Sequence, residues 1–251
     1  MQWLRYTWLF LGKLGALTFI FVGGGLLATT ILPLLALFPG KKYDRAQSVI
    51  RMMFRFYIYG LQFLGMIRLN IKDAHKFNEF GGKMVVANHP SLLDVVMLMA
   101  LIPNAQCVVK HELWNHFLLG GLVRRAGYIR NDLVIEELVA ACKNSLDAGR
   151  CLIIFPEGTR TPPGELPKFH KGFAAVAILT KPLIQLVFIT CTPPFLFKGE
   201  AWWHVPPQRP VFHVTMGECL DINALSSYGQ PAITARSLVK SLEQHYAART
   251  D

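Results

Sequence analysis

The sequence has few charged residues, few cysteines and no repeated or low-complexity segment. Charged residues make up 17% of the 251 residues and hydrophobic residues 52%, whereas charged residues are about 25% of a typical soluble domain. This composition excludes a disordered or fibrous chain and is too apolar for an ordinary soluble enzyme. The five cysteines are odd in number and include no Cys-x-x-Cys pair. They therefore indicate reduced, buried thiols in a cytosol-facing protein and not a disulfide framework or a zinc site.

The net charge of +10 is concentrated in the first third of the chain. Residues 1–82 carry ten Lys or Arg against three Asp or Glu, and this part is also rich in apolar residues. A basic and apolar segment favours contact with the anionic headgroups of a membrane and not with nucleic acid. The length allows one α/β domain with a short appendage, or two small domains.

An uncharged run of 25 residues extends from Leu14 to Phe38. As a helix it measures about 37 Å, enough for a hydrocarbon core of about 30 Å, and it is too long for the apolar region of a cleaved signal peptide. The following stretch, Asp44 to Ile67, is basic and amphipathic, which is typical of a helix in the headgroup plane; alternatively, it covers the core of the next domain. We expect residues 1–65 to be a membrane-associated helical segment.

Lys and Arg residues are more numerous after the uncharged run than before it. Two precede the run, whereas five follow it closely. Because positive charge is enriched on the cytoplasmic side of membrane segments, this bias favours a domain on the cytoplasmic face, which in a bacterium is that of the inner membrane.

Residues 66–251 alternate short apolar runs with longer helical patterns. The predicted strands are Met66–Ile71, Met84–Ala87, Gln106–Lys110, Cys151–Phe155, Leu183–Thr190 and Pro210–Met216. The predicted helices are Ser91–Leu101, Trp114–Arg125, Leu133–Ala148, Lys171–Thr180 and Ala232–Ala248. This alternation predicts an α/β domain over residues 66–251, with a mixed, mostly parallel sheet covered by helices. Such sheets bind ligands at the carboxyl ends of their strands.

The first candidate site residues follow the predicted strand Met84–Ala87. His89 lies just beyond the end of that strand, and Asp94 lies in the first turn of the next predicted helix. Histidine can accept a proton near neutral pH, and a carboxylate one turn away can bond its other ring nitrogen and fix the tautomer. Alternatively, Ser91 and Asp94 form a variant of the capping box, and Asp94 only caps the helix.

A second polar run follows the predicted strand Cys151–Phe155. It presents Glu157, Gly158, Thr159 and Arg160 in succession. The planar fork of Arg160 matches phosphate oxygens, and Gly158 permits close approach of the backbone. The competing interpretation is a polar turn with a Glu/Arg surface pair worth under ~1 kcal/mol.

Taken together, the two runs Asn88–Asp94 and Phe155–Arg160 resemble the motifs of the glycerolipid acyltransferase family, and the resemblance extends over about residues 65–220. It implies an acyltransferase α/β fold and transfer of a fatty acyl group from acyl-CoA or acyl-carrier protein to the hydroxyl of a lysophospholipid, most directly 1-acylglycerol-3-phosphate. No cofactor or metal is implied. The implied partners are these two substrates and membrane lipids.

The resemblance also implies roles for individual residues. His89 would be the general base and Asp94 its orienting partner. Binding of the acceptor and its phosphate would fall to Glu157, Gly158, Thr159, Arg160, Arg130 and Lys110, and backbone N–H groups near Gly158 would be candidates to stabilise an oxyanion.

The sequence departs from the family pattern near the expected acceptor site, where Arg130 is displaced from its usual place and Phe117 replaces a common proline. A different lysolipid therefore stays open as the acceptor. Outside the family, two interpretations remain: a metal-dependent hydrolase with His89, Asp94 and Glu157 as ligands, and an inactive lipid-binding adaptor.

Overall fold

Helices precede the sheet in the computed structural model, which describes residues 2–37, 42–201, 203–223 and 234–249. The uncharged run from Leu14 lies within a longer helical run made of α1 (Gln2–Thr18), α2 (Gly24–Leu26) and α3 (Leu32–Ala36), joined by π-helical turns at Phe19–Gly23 and Leu27–Ile31. Among the described residues, Tyr6–Leu34 is one helix that is long and apolar enough to cross a membrane by length and composition, with a mean hydropathy of 1.9.

The next helix, α4 (Lys42–Phe63), has two apolar faces. One face is buried, with Ile50 and Ile58 in the core, whereas Phe56 and Phe63 on the other face are exposed. The interpretation of α4 as a cover for the core therefore describes its buried face, and contact of the exposed face with a membrane stays a prediction. Phe19 stacks on Tyr57 with ring centroids 5.6 Å apart, so the first helical run packs beside α4.

The sheet has seven strands in the order β1-β7-β6-β2-β5-β3-β4. The strands are β1 (Arg68–Ile71), β2 (Met84–Ala87), β3 (Ala105–Val109), β4 (Ile129–Arg130), β5 (Cys151–Ile154), β6 (Leu183–Thr192) and β7 (Val211–Asp221). All neighbouring pairs are parallel except β6 and β7, which are antiparallel. The predicted fold class, a mixed and mostly parallel sheet covered by helices, is confirmed.

Helices cover both faces of the sheet. The remaining ones are α5 (Leu93–Leu101), α6 (His111–Trp114), α7 (Gly120–Arg125), α8 (Ile135–Asp147), α9 (Lys171–Thr180) and α10 (Ala235–Ala247), with a 3₁₀ turn at Ala74–Glu79. Successive residues of a strand point to opposite faces. Val85 and Ala87 thus join a hydrophobic cluster with the N-terminal helices and α5, and Met84 and Val86 join another with α8 to α10. The boundary at residue 65 stays a prediction, and the helices before it share a core with the sheet.

The single helix predicted over Trp114–Arg125 is wrong, since the chain turns between α6 and α7. The side chain of His116 causes part of this turn, because its Nδ1 accepts hydrogen bonds from the N–H groups of Leu118 and Leu119. Gly120 is needed here, since a Cβ atom would lie 2.5 Å from the carbonyl oxygen of Trp114. The helical pattern of the sequence does not reveal this close approach.

Candidate active site

Two neighbouring parallel strands bring the two sequence motifs together. In the pairing of β2 with β5, Met84 lies opposite Leu152 and Val86 opposite Ile154. Continuing this pairing by three residues sets His89 beside Glu157. The backbone N–H of His89 donates a 2.8 Å hydrogen bond to Oε1 of Glu157. The candidate site therefore lies at the carboxyl edge of the sheet, as expected for this fold.

The His89 ring is bonded to Asp94. Its Nδ1 lies 2.9 Å from Oδ2 of Asp94, and the same oxygen accepts a 2.6 Å hydrogen bond from the N–H of Ser91. Asp94 thus orients the imidazole and also satisfies a backbone donor at the start of α5, so the two sequence interpretations of Asp94 are compatible. Because Nδ1 faces the carboxylate, Nε2 is the ring nitrogen that can accept a proton from a substrate.

Asp94 is fully buried and His89 is partly accessible. The Asp94 side chain has no exposed surface, whereas that of His89 is 14% exposed and packs on Phe155 with ring centroids 4.5 Å apart. Burial raises the pKa of Asp94, and its hydrogen bonds from His89 and Ser91 oppose that rise. Among the described residues, Oδ1 of Asp94 has no hydrogen-bond partner. The hydrogen bonds at Oδ2 therefore carry the interaction with the ring.

Glu157 joins the loops that follow β2 and β5. The residue is only 4% exposed. Its carboxylate accepts hydrogen bonds from the N–H of His89 and from the hydroxyl of Thr161. The N–H of Thr161 in turn donates to the carbonyl of His89 at 3.0 Å. Burial raises the pKa of Glu157. Glu157 is thus an internal bridge and not half of a surface pair with Arg160.

Gly158 follows with φ of +64°, in the left-handed region that favours glycine. A Cβ atom at this position would lie 3.0 Å from Cδ2 of His170. Its N–H donates to the carbonyl of Phe155 at 3.0 Å, so this N–H does not point to an oxyanion. Thr159, the next residue, is partly buried.

The Arg160 side chain is anchored by a distant loop. Its Nη1 donates to the carbonyls of Leu196 at 2.8 Å and Phe197 at 3.3 Å. Neither Nε nor Nη2 makes a hydrogen bond to any residue that the structure describes. Nε and Nη2, on the opposite edge of the guanidinium, can therefore donate hydrogen bonds to a ligand oxygen.

Lys110 directly follows β3, and Arg130 is the last residue of the neighbouring strand β4. The two strands are paired through Val109 and Arg130. Lys110 lines a cavity of about 610 Å³ together with Gly158 and His170. Arg130 is bound through Nε and Nη2 to Asp132 at 2.8 and 2.5 Å. The structure therefore groups Lys110 with the motif after β5, and it holds Arg130 in an ion pair outside the lining of this cavity.

A second cavity, of about 260 Å³, includes His89 and Glu157 in its wall. Its described lining contains five prolines and neither Lys nor Arg. Burial raises the pKa of the Cys191 thiol in this wall to about 12, which disfavours the thiolate at neutral pH. Within the described ranges, no three His, Cys, Asp or Glu side chains are grouped to hold a metal ion.

The sequence interpretation assigned no role to several residues that build the site. The side chain of Asn88 makes two hydrogen bonds to the backbone of Ile189 on β6. Its Nδ2 donates to the carbonyl at 2.7 Å, and its Oδ1 accepts from the N–H at 2.8 Å. The buried phenol of Tyr246 on α10 donates to the carbonyl of Val86 at 2.7 Å. Asn88 belongs to the first motif and could have been found there, whereas nothing in the spacing points to Tyr246.

Known proteins resemble this chain in sequence over its central region. The family model described as Acyltransferase matches residues 68–192, so this region is an acyltransferase domain. The 1-acyl-sn-glycerol-3-phosphate acyltransferase of Helicobacter pylori is 38% identical over 122 residues, which cover 46% of this chain and 51% of that protein. The enzyme of the same name from Cocos nucifera is 35% identical over 109 residues, or 41% of this chain and 35% of its own.

The fold has a solved counterpart. The crystal structure of the 1-acyl-sn-glycerophosphate (LPA) acyltransferase PlsC from Thermotoga maritima aligns with a TM-score of 0.66 over 99% of both chains, at 21% identity. The sequence comparisons thus identify residues 68–192 as an acyltransferase domain, and the solved structure shows the same fold. It spans about half the length of the Helicobacter pylori relative and about a third of that from Cocos nucifera.

Proposed function

We propose that this protein transfers a fatty acyl group from acyl-CoA or acyl-carrier protein to the free hydroxyl of a lysophospholipid, with 1-acylglycerol-3-phosphate as the acceptor. The observation that carries the proposal is the bond between Nδ1 of His89 and the buried carboxylate of Asp94, in the wall of a cavity at the carboxyl edge of the sheet. The names of the relatives support the choice of acceptor.

The reaction needs one base and no nucleophilic side chain. Nε2 of His89 accepts the proton of the acceptor hydroxyl while its oxygen attacks the thioester carbonyl carbon. The tetrahedral intermediate collapses, the C–S bond breaks, and the leaving thiolate takes the proton from the imidazolium. The Asp94 carboxylate keeps the neutral ring protonated on Nδ1 and stabilises the imidazolium that forms.

Two neighbouring regions differ in charge, and each would bind one of the two substrates. The acceptor phosphate would be bound by the outer edge of Arg160 and by Lys110, because both are cations beside the motif after β5. Arg130 would join them in binding the phosphate only after it leaves its ion pair with Asp132. The cavity lined by His89 has no cation among its described residues, and it therefore suits the uncharged thioester end of the donor.

Attachment to the membrane is part of the proposal. Large hydrophobic side chains are exposed along the first helical run and α4. Phe19, just after α1, lies beside Phe56 of α4 with ring centroids 6.4 Å apart, so the two exposed faces adjoin. An apolar surface of this kind is stable only in contact with lipid or another protein, and the basic flanking residues favour anionic lipid. The excess of Lys and Arg after the first helical run supports the cytoplasmic face of the membrane.

The test offers the purified full-length chain one labelled acyl thioester and a panel of lysolipids, and identifies products by mass spectrometry. We expect phosphatidic acid from 1-acylglycerol-3-phosphate. The rate should fall about 10²–10⁴-fold in His89→Ala and should be unchanged in His75→Ala, which alters an exposed histidine remote from the site. If only another lysolipid gives a product, the choice of 1-acylglycerol-3-phosphate as the acceptor is refuted. If His89→Ala keeps half the wild-type rate, the assignment of His89 as the general base is refuted.

A further inference from the structure

A buried ion pair joins α1 to the loop that follows β6. Nζ of Lys13 lies 3.2 Å from Oε1 of Glu200, and the two side chains are 3% and 2% exposed. The Lys13 ammonium also donates to the carbonyl of His204 at 2.8 Å and lies over the ring of Phe195, 5.2 Å from its centroid. Nδ1 of His204 completes the cluster at 2.8 Å from Oε1 of Glu200.

This pair is unusual in its surroundings. Lys13 is the only charged residue of the apolar helix Tyr6–Leu34. Burying two charges carries a desolvation cost that well-packed apolar side chains avoid, so a buried ion pair is weak evidence for a role in stability. In addition, Oε2 of Glu200 is buried without a partner among the described residues. These features point to a role in fixing geometry.

The loop held by this pair supports the active site. The carbonyl of Phe195 accepts a 2.7 Å hydrogen bond from Oγ of Ser91, next to the His89–Asp94 pair. The carbonyl of Leu196 accepts from the N–H of Leu92 at 3.0 Å and, as described above, from Arg160.

The conformation of the loop needs support from its surroundings. Leu196 has φ of +53°, a left-handed conformation that a leucine adopts only where neighbouring contacts enforce it. The described residues between β6 and β7, 193–201 and 203–210, form no helix or strand, and loops longer than about 12–15 residues in compact domains are uncommon and usually functional.

We propose that Lys13 and Glu200 are positioning residues for acyl transfer. Their ion pair fixes residues 195–200 against α1, so that the carbonyls of Leu196 and Phe197 hold Nη1 of Arg160 and direct its other edge to the acceptor phosphate. The acceptor site is thereby complete only when the apolar N-terminal helix is docked. This inference rests on the proposed function for the role of Arg160, but the contact between α1 and the loop does not.

The main test replaces both charges with apolar side chains in Lys13→Met/Glu200→Leu. The matched control is Lys143→Met/Asp147→Leu, which makes the same exchange in an exposed pair on α8 at 2.9 Å. In detergent-solubilised full-length protein, hydrogen exchange of the Leu92 amide and of residues 195–200 should become about tenfold faster in the first variant and stay unchanged in the control. This measurement does not depend on whether the protein transfers acyl groups.

The second measurement is the kinetics with the acceptor. We expect an acceptor KM raised about tenfold in Lys13→Met/Glu200→Leu, with kcat changed by less than about threefold, because His89 and Asp94 keep their contacts. Arg160→Lys, which loses the planar fork, should raise the same KM and serves as the comparison. Glu200→Gln, which keeps the side-chain volume, should give a smaller change in the same direction and replaces the double variant if that one does not fold.

The outcomes separate the two proposals. Unchanged exchange in the loop overturns the inference whatever the activity is. Faster exchange with an unchanged acceptor KM reduces the pair to a structural role and also overturns it. A wild-type protein that does not acylate any lysolipid overturns the proposed function, and with it the assigned role of Arg160, while the exchange result still decides whether the pair holds the loop.

Discussion

The substitution Asp94→Asn separates the two tasks of one buried carboxylate oxygen. In the wild-type protein, Oδ2 binds both Nδ1 of His89 and the N–H of Ser91. The oxygen of an asparagine can still accept from Ser91, so the start of α5 is preserved. Its amide group, however, donates to Nδ1 and moves the ring proton of His89 to Nε2. The nitrogen that must accept the substrate proton is then already protonated.

The size of the effect follows from the role of the base. General-base catalysis contributes about 10²–10⁴-fold, which at 1.36 kcal/mol per factor of ten is about 3–5 kcal/mol of transition-state stabilisation. We expect kcat to fall by this factor with little change in acceptor KM. Because burial raises the pKa of Asp94, removing its charge relieves a desolvation cost, and the melting temperature should not fall.

The assay follows release of the free thiol from the acyl thioester at several acceptor concentrations, with a melting curve for each variant. Asp147→Asn alters an exposed carboxylate on α8 and serves as the control. The reasoning is refuted if Asp94→Asn keeps kcat within about twofold of wild type and melts earlier, since Asp94 would then only support α5.

Two further predictions concern a second buried carboxylate and the apolar surface. Since burial raises the pKa of Glu157 above its usual value of 4.5, its contribution to stability is full below pH 4.5 and is lost as the pH rises through the raised pKa. The amide of Glu157→Gln can still form hydrogen bonds with His89 and Thr161 but does not titrate. The melting temperature of this variant minus that of wild type should therefore increase from acidic to neutral pH. A difference in melting temperature that does not change with pH would contradict this. Phe56, on α4, is 67% exposed, and Phe56→Glu should weaken sedimentation with anionic lipid vesicles. Val134, near α8, is 61% exposed, and Val134→Glu should leave sedimentation unchanged. Equal binding of the two variants would exclude the exposed face of α4 as the lipid contact.

Most strands could be predicted because each is an apolar run bounded by turn residues. β2 has the predicted bounds, and β5 differs by one residue. β4 has two residues, too few to produce a periodic pattern. The break between α6 and α7 was also hidden, because it depends on hydrogen bonds to the His116 side chain and on the close approach at Gly120, and not on the spacing of apolar residues.

The local part of the candidate site follows from the sequence, and the long-range part does not. His89 and Asp94 are five residues apart, so a turn followed by a helix is enough to bring them together. The bond from His89 to Glu157 spans 68 residues and depends on β2 and β5 being neighbours, which the alternation of strands and helices does not specify. The orientation of Arg160 depends on carbonyls more than thirty residues away, in a loop without a regular pattern.

The contact between Lys13 and Glu200 extends this argument to the apolar N-terminal helix. It joins residues 187 apart, and its only trace in the sequence is one lysine in an otherwise uncharged helix. A charge that cannot reach water must find a partner, and the partner lies on the loop that anchors Arg160. The apolar helix and Arg160 are therefore connected through two contacts, that of Lys13 with Glu200 and that of the loop with Arg160. A truncation that removes α1 would remove both the cation bound to Glu200 and the helix packed against it, so loss of acyl transfer in such a variant would not by itself distinguish detachment from the membrane from disorder in the site.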